Sequence, residues 1–252
     1  MQHLADLDDD TLADQYAYPP SQGRAVVRAN FVTTLDGSAT GEDGLSGSIN
    51  DEADARVFAV LRALSDVVLV GAGTIRAEGY GRLRTATRWR EARARWGLAD
   101  HPVLAVVSRT LELPDQLLAD EPQAGALLVV STLDAEPTRL QQLRERLGPD
   151  AVVLGGRGSV DLVAVLEQLA GRGLSQVLTE GGPTLMNDLV RADLLDELCL
   201  TLSPLLVGGH GPRMSAGAPL HQRMHLAHAI ASTGPLLTRW TRRPPAARGR
   251  TS

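Results

Sequence analysis

Six short apolar runs, at 26–32, 67–70, 103–107, 126–130, 151–154 and 176–178, are separated in several places by stretches whose apolar residues fall three and four apart. Most of these runs lack polar alternation, so they must be covered on both faces. That condition suits parallel strands joined by crossover helices. Helical spacing over 51–64 aligns Val57, Val60, Leu61 and Leu64 behind an Asn50/Asp51 cap. A second helical pattern, 159–171, carries Leu162, Leu166 and Leu169, with Ser159 as its cap and Gly171 and Gly173 as stops. A third, 184–195, carries Leu185, Leu189 and Val190. Beyond it the runs 198–202, 226–232 and 236–240 read as strands with no helix between them. The expected fold is therefore α/β, with a mixed, mostly parallel central sheet, helices on both faces and antiparallel strands toward the C-terminal end. One domain is expected over 24–240. Residues 1–23 read as an N-terminal extension, acidic and loose over 1–21, and 241–252 as a flexible basic tail.

Charge and cysteine usage narrow the function classes. A net charge of −5 argues against nucleic acid or an anionic membrane as the main partner. Cys199 stands alone, which rules out an internal disulfide and suits a reducing compartment. The opening MQHLADLDDD is acidic where a secretory signal would be basic and then apolar. These features lead to the expectation of a cytoplasmic protein. All 25 basic residues are arginine. Lysine-dependent chemistry is thereby excluded, and an anion-binding side chain must be arginine or histidine.

The run at 67–70 leads into Gly71-x-Gly73, which superficially matches a Rossmann phosphate turn. That turn needs a third glycine, where this chain has Arg76, and an acid about 20 residues on, where it has REARARWG. The fingerprint is rejected, although Gly71 and Gly73 still allow a ligand to approach bare backbone. A second loop, Glu180-Gly181-Gly182, follows a strand and opens a helix with Pro183 at its first position, an arrangement suited to a pyrophosphate. Gly155, Gly156 and Gly158 repeat it before Ser159. Two such loops in one parallel-sheet protein point to a nucleotide.

In order and spacing, FVTTLDGSATG, LRALSDVVLVGAGTIRAEGYGRLR and LTEGGPTLMNDLVRADLLDELCLTLSPLLVGG resemble the reductase domain of bifunctional riboflavin-biosynthesis proteins, over about residues 24 to 240. The resemblance implies a dihydrofolate-reductase-like fold, NADPH as cofactor and a homodimer. The implied reaction is hydride transfer to 5-amino-6-(5-phosphoribosylamino)uracil or a closely related phosphorylated pyrimidine. It implies that Gly71, Gly73, Thr74, Thr33 and Glu78 contact NADPH, together with Gly181, Gly182, Pro183, Thr184 and Leu185. It places Ser46, Arg62 and Glu180 at the substrate, with Arg84, or Arg82 if the register slips, as a second arginine. Ser108-Arg109 resembles the pair that meets the adenosine 2′-phosphate in dihydrofolate reductases, where arginine selects NADPH by charge-assisted hydrogen bonds. Asn30 departs from the pattern, since lysine is common there in that family.

Several roles stay open on the residues alone. The proton that accompanies the hydride can come from Glu180, Asp36 or an ordered water. Asp36 serves equally well as a stabiliser of the Leu35-Asp36-Gly37 turn. Reduction of a pterin or dihydrofolate on the same scaffold is the alternative activity, because fold does not fix substrate. A nucleotide-binding regulator and a reductase using a flavin or deazaflavin are the readings from other classes. His221, His225 and His228 have helical metal spacing, yet their segment reads as loop and strand, so no metal is expected. The zinc-deaminase signature is missing from the sequence, so the deaminase half of the bifunctional family is not expected.

Overall fold

The computed structural model describes residues 2–243; Met1 and 244–252, with most of the expected basic tail, lie outside the described residues. In chain order the elements begin β1 (Gln2–His3), α1 (Asp9–Gln15), β2 (Val26–Thr34), α2 (Glu52–Ala63), β3 (Val67–Gly71) and α3 (Ala72–Ala77). They continue α4 (Thr87–Arg95), β4 (Val103–Val107), α5 (Asp115–Leu118), β5 (Leu127–Ser131), α6 (Pro137–Leu147) and β6 (Val152–Leu154). The last are α7 (Leu162–Gly171), β7 (Gln176–Thr179), α8 (Pro183–Arg191), β8 (Leu195–Ser203), β9 (His225–Ala231) and β10 (Leu236–Thr241).

The strands form a single sheet in the order β1-β9-β10-β8-β2-β7-β3-β4-β5-β6. Among the described residues only the pairings of β10, with β8 and β9, are antiparallel. The mixed sheet with late antiparallel strands is thus the expected one. Alternation along β3 shows how the layers divide. Val68 and Val70 join the core beneath α1, α2 and α4, with Val60, Leu61 and Trp89. Val67 and Leu69 join the opposite core beneath α7 and α8, with Leu166 and Leu189. Because both faces are covered, the strand reads as a continuous apolar run.

Helix α2 starts where its sequence signal lies, with the Asp51 side chain accepting from the Ala53 and Asp54 amides. Two boundaries differ from expectation. Asp161, not Ser159, caps α7 by accepting from the Val163 and Ala164 amides. Helix α8 ends at Arg191, and Asp193 then takes a φ of 58° to turn the chain into β8. His225 and His228 lie on β9, and the described residues contain no cluster able to hold a metal. Among the described residues, no helix is long and apolar enough to cross a membrane.

The N-terminal segment is not loose. Leu12 and Tyr16 are fully buried, β1 pairs in parallel with β9, and Asp8 caps α1. Its acidic residues have local partners: Asp9 meets Arg56 at 2.9 Å and Arg88 at 3.3 Å. Beneath it lies Arg28, fully buried on β2. Its guanidinium bonds Glu197 at 2.7 Å and the Tyr16 carbonyl at 2.6 Å, with Tyr18 stacked on it. Arg239 binds the other Glu197 oxygen at 2.5 Å. The segment's negative charge suggested solvation; its apolar residues and a buried arginine needing acceptors override that.

Candidate functional site

Strand β7 enters the sheet between β2 and β3, so the C-terminal ends of these three neighbours come together. In open α/β sheets ligands collect at such ends. Two clefts open there. The first, about 490 Å³, is lined by Asn30, Asp54, Phe58, Arg62, Tyr80 and Glu180, with Arg82, Arg84 and Arg213. The second, about 890 Å³, is lined by Gly71, Gly73, Ser108, Arg109, Thr184 and Leu185, with Arg76 and Arg191. Both volumes suit small-molecule ligands.

A glycine seam joins the clefts. The Gly71 amide donates to the Gly181 carbonyl at 3.0 Å, and the Gly181–Gly182 peptide is cis. Gly181 has a φ of 110°, which favours glycine. A Cβ on Gly182 would stand 2.8 Å from Thr74 Oγ1, so a side chain there would have to displace the Thr74 hydroxyl. Gly182 caps α8 through its backbone without a side-chain bond, and Pro183 occupies the first helical position. The first-turn amides of Thr184 and Leu185 therefore have no intrahelical acceptor, the arrangement that binds phosphate oxygens.

The wall of the first cleft is charged and tightly bonded. Arg62 donates Nε to Glu180 Oε1 and Nη2 to Glu180 Oε2, both at 2.6 Å, and Tyr80 donates its hydroxyl to Oε2 at 2.9 Å. Burial opposes the charge on Arg62, but Glu180 outweighs it and raises the Arg62 pKa. Burial, reinforced by the Glu180 charge, drives the Tyr80 hydroxyl well above the usual phenol range, so it remains a donor. The guanidinium also lies 4.2 Å over the Phe58 ring.

The structure gathers most of the expected residues and redirects others. Thr74, Glu78, Ser46, Asn30, Arg62, Arg84, Glu180, Gly181, Gly182 and Pro183 line the first cleft. Gly71, Gly73, Ser108, Arg109, Thr184 and Leu185 line the second. Glu78 accepts from the Ser46 amide at 3.0 Å, and Arg84 pairs with Glu121 at 2.8 Å. Arg62 is engaged by Glu180 rather than left free for a phosphate. Thr33 is buried and lines neither cleft.

Asp36, expected as a catalytic acid, also lines neither cleft. Thr34 donates to it at 2.5 Å and the Gly208 amide at 2.6 Å, so it clamps two loops. The Thr34 hydroxyl, aided by the Gly208 amide, holds its carboxyl below the usual range, which suits a fixed acceptor. Gly155 and Gly156, expected to cradle a nucleotide, shape a turn instead. A Cβ on Gly156 would stand 2.4 Å from the Ser159 carbonyl, and φ there is 77°. Only the next part of that loop, from Gly158 to Asp161, reaches the second cleft. Asp54, Phe58, Tyr80 and Arg213 were not singled out from sequence. For the first two a signal existed: 54, 58 and 62 fall four apart along α2, in a row that starts at buried Asp54 and leads away from its apolar face.

Comparison with known proteins agrees with this architecture. The RibD C-terminal domain family matches residues 25–236. A 2,5-diamino-6-ribosylamino-4(3H)-pyrimidinone 5′-phosphate reductase of Archaeoglobus fulgidus is 32% identical over 188 residues, covering 74% of this chain and 83% of the relative. The Methanothermobacter thermautotrophicus protein of the same name is 33% identical over 193 residues, covering 75% and 82%. A solved pyrimidine reductase-like protein from Corynebacterium diphtheriae shares the fold at a TM-score of 0.77, with 24% identity and coverage of 91% and 98%. With the family matched across nearly the whole folded chain, and with relatives of similar extent, the protein belongs to the RibD C-terminal domain family of riboflavin-biosynthesis reductases.

Proposed function

We propose that this protein reduces a phosphoribosylamino-pyrimidine with NADPH, the substrate being the diamino-pyrimidinone named for its relatives or the corresponding uracil. The observation that carries this reading is the pair of clefts meeting on one glycine seam. The second cleft fits the cofactor: bare backbone at Gly71 and Gly73, free amides at the α8 N-terminus, and Arg76, Arg109 and Arg191 to distinguish a 2′-phosphate. NADPH, when bound, supplies the hydride.

The protein's own contribution is placement. Gly181 and Gly182 keep the seam thin enough for a donor in one cleft to face an acceptor in the other. Arg82, Arg84 and Arg213 supply positive charge in the first cleft for the substrate phosphate. Glu180 already accepts three hydrogen bonds, so it positions the substrate and fixes the wall, while the proton comes from water at the open mouth.

The proposal includes a cytoplasmic homodimer. Strands β8 and β10 are both interior in the sheet, so neither offers an open edge for pairing. What remains for a second copy is the face of β8, β10 and β9 carrying Leu200, Trp240 and Leu226, the last 48% exposed. The activity test is NADPH oxidation on addition of either phosphorylated pyrimidine. Stoichiometric consumption is expected, and inertness toward both substrates would overturn the reading.

A further inference from the structure

Residues 204–224, between β8 and β9, form no helix or strand. A loop of that length inside a compact domain is uncommon and mostly functional. This one is stitched down in three places. Asp36 accepts the Val207 and Gly208 amides at 3.2 and 2.6 Å. The Pro212 carbonyl accepts the Ala39 amide at 2.8 Å, beside Gly211, where a Cβ would collide with the Ser38 side chain. The third stitch is on α8. There the Ala216 amide donates to the Pro183 carbonyl at 3.0 Å. Asn187, only 3% exposed, donates Nδ2 to Ser215 Oγ at 3.2 Å and to the Ala218 carbonyl at 3.1 Å. A Cβ on Gly217 would stand 2.6 Å from Asn187 Oδ1, so the loop passes directly against this amide.

Between the second and third stitches the loop presents Arg213 and Met214 to the first cleft. Arg213 is exposed and has no hydrogen bond or ion pair among the described residues. The other three arginines of this cleft are engaged. Arg62 is held by Glu180, Arg84 pairs with Glu121 at 2.8 Å, and Arg82 donates Nε to the Leu117 carbonyl at 3.2 Å. An unengaged guanidinium offers a phosphate its full charge and its paired donors. The cleft also has a polarity. Glu180 and Gly181 are buried, whereas Arg213 is exposed. A ligand whose ring faces the glycine seam therefore carries its phosphate outward, toward Arg213.

We propose that Arg213 is the residue that binds the substrate phosphate, and that Asn187 is a positioning residue holding the strap that carries it. The assignment rests on the reductase reading above and adds the phosphate subsite and its support. Arg82 and Arg84 then act on the phosphate through their field. Asn187 lines neither cleft, so its influence reaches the substrate only through the loop. Fixing the loop in advance lowers the entropy cost of clamping the phosphate. Loss of the Asn187 amide frees 215–218 from α8 while the stitches at Asp36 and Pro212 stay, so the loop keeps its course and Arg213 loses its aim. Because α8 also presents Thr184 and Leu185 to the second cleft, NADPH affinity reports whether the helix itself has been disturbed.

The test compares the phosphorylated pyrimidine with its dephosphorylated ribosylamino form in wild type, Arg213→Ala, Asn187→Ala, the double variant and Arg84→Ala. Arg213→Ala raises KM for the phosphorylated substrate about 10- to 100-fold, the range of a charged hydrogen bond. Its kcat, its KM for the dephosphorylated form and its KM for NADPH hold within about two-fold, as expected when a uniform binding contact is removed. Asn187→Ala raises the same KM about 5- to 10-fold, spares KM for NADPH, and adds nothing once Arg213 is gone. Arg84→Ala has the smaller effect of the two arginine variants. A larger effect in Arg84→Ala, equal losses on both forms in Arg213→Ala, or no preference of wild type for the phosphorylated form overturns the phosphate assignment and leaves the reductase reading intact. A fall in kcat on both forms in Asn187→Ala, persisting in the double variant, overturns the positioning role of Asn187. Inertness of wild type on both forms overturns the reductase reading and this assignment with it.

Discussion

Arg62→Ala tests whether the cleft wall is held by charge. The Glu180 side chain is only 2% exposed, while that of Arg62 is 30% exposed. Removing the arginine strands a buried carboxylate with Tyr80 as its remaining donor. Breaking a buried pair costs about 3–5 kcal/mol, and partial exposure of Arg62 reduces this to about 2–3 kcal/mol. For a chain of this length that lowers Tm by about 5–10 °C. Glu180→Gln removes charge from the buried side instead and leaves an arginine that water can reach. Its cost is about 1 kcal/mol, the scale of a weakened hydrogen bond. The double variant should therefore be less damaged than the sum of the singles, with a coupling of about 2 kcal/mol. Urea or thermal unfolding of the four proteins reads all three quantities. An unchanged Tm for Arg62→Ala, a larger loss for Glu180→Gln, or strict additivity would refute the reasoning.

Gly182→Val sets a Cβ 2.8 Å from Thr74 Oγ1 and bulk beside the α8 N-terminus; NADPH affinity should fall about 100-fold or more by fluorescence titration, with the fold retained. Normal binding would move the pyrophosphate site elsewhere. Arg109→Ala should erase about 1.5–3 kcal/mol of preference for NADPH over NADH, and equal losses for both would misplace the 2′-phosphate. Burial pushes the Cys199 thiol up to about 11, so iodoacetamide should label it only as the protein unfolds, and rapid native labelling would contradict its burial. Light scattering at micromolar concentration should give twice the 26.8 kDa of the chain, and a single-chain mass would remove the homodimer.

The parallel half of the sheet was legible because its strands are apolar on both faces and short, a pattern with few other solutions. The glycine seam was legible as two separate loops, but nothing local to either showed that Gly71 bonds Gly181 across a long separation in sequence. Arg62 and Glu180 were both placed at the substrate, yet their mutual bond was invisible, since an ion pair between distant residues leaves no periodic trace. Asp36 and Gly156 misled for a related reason. Turn residues that satisfy local backbone look the same in sequence as those that meet a ligand. The N-terminal segment was misjudged because composition reports average charge, whereas its docking depends on the burial of Leu12 and Tyr16 and on the Tyr16 carbonyl that accepts from Arg28.

That docking sets an order of assembly. Residues near the N-terminus rest on strands near the C-terminus: β1 on β9, and the carbonyls of Gln15 and Tyr16 on Arg239 and Arg28. During synthesis this segment is made before the strands it rests on, and β2 carries an arginine whose partner Glu197 comes far later in the chain. Residues 2–17, made before β8 to β10, are thus among the last to be fixed. Until β8 to β10 are made, β2 lacks its β8 neighbour and Arg28 its Glu197 partner, and bringing these distant segments together carries the entropy cost of closing a long loop.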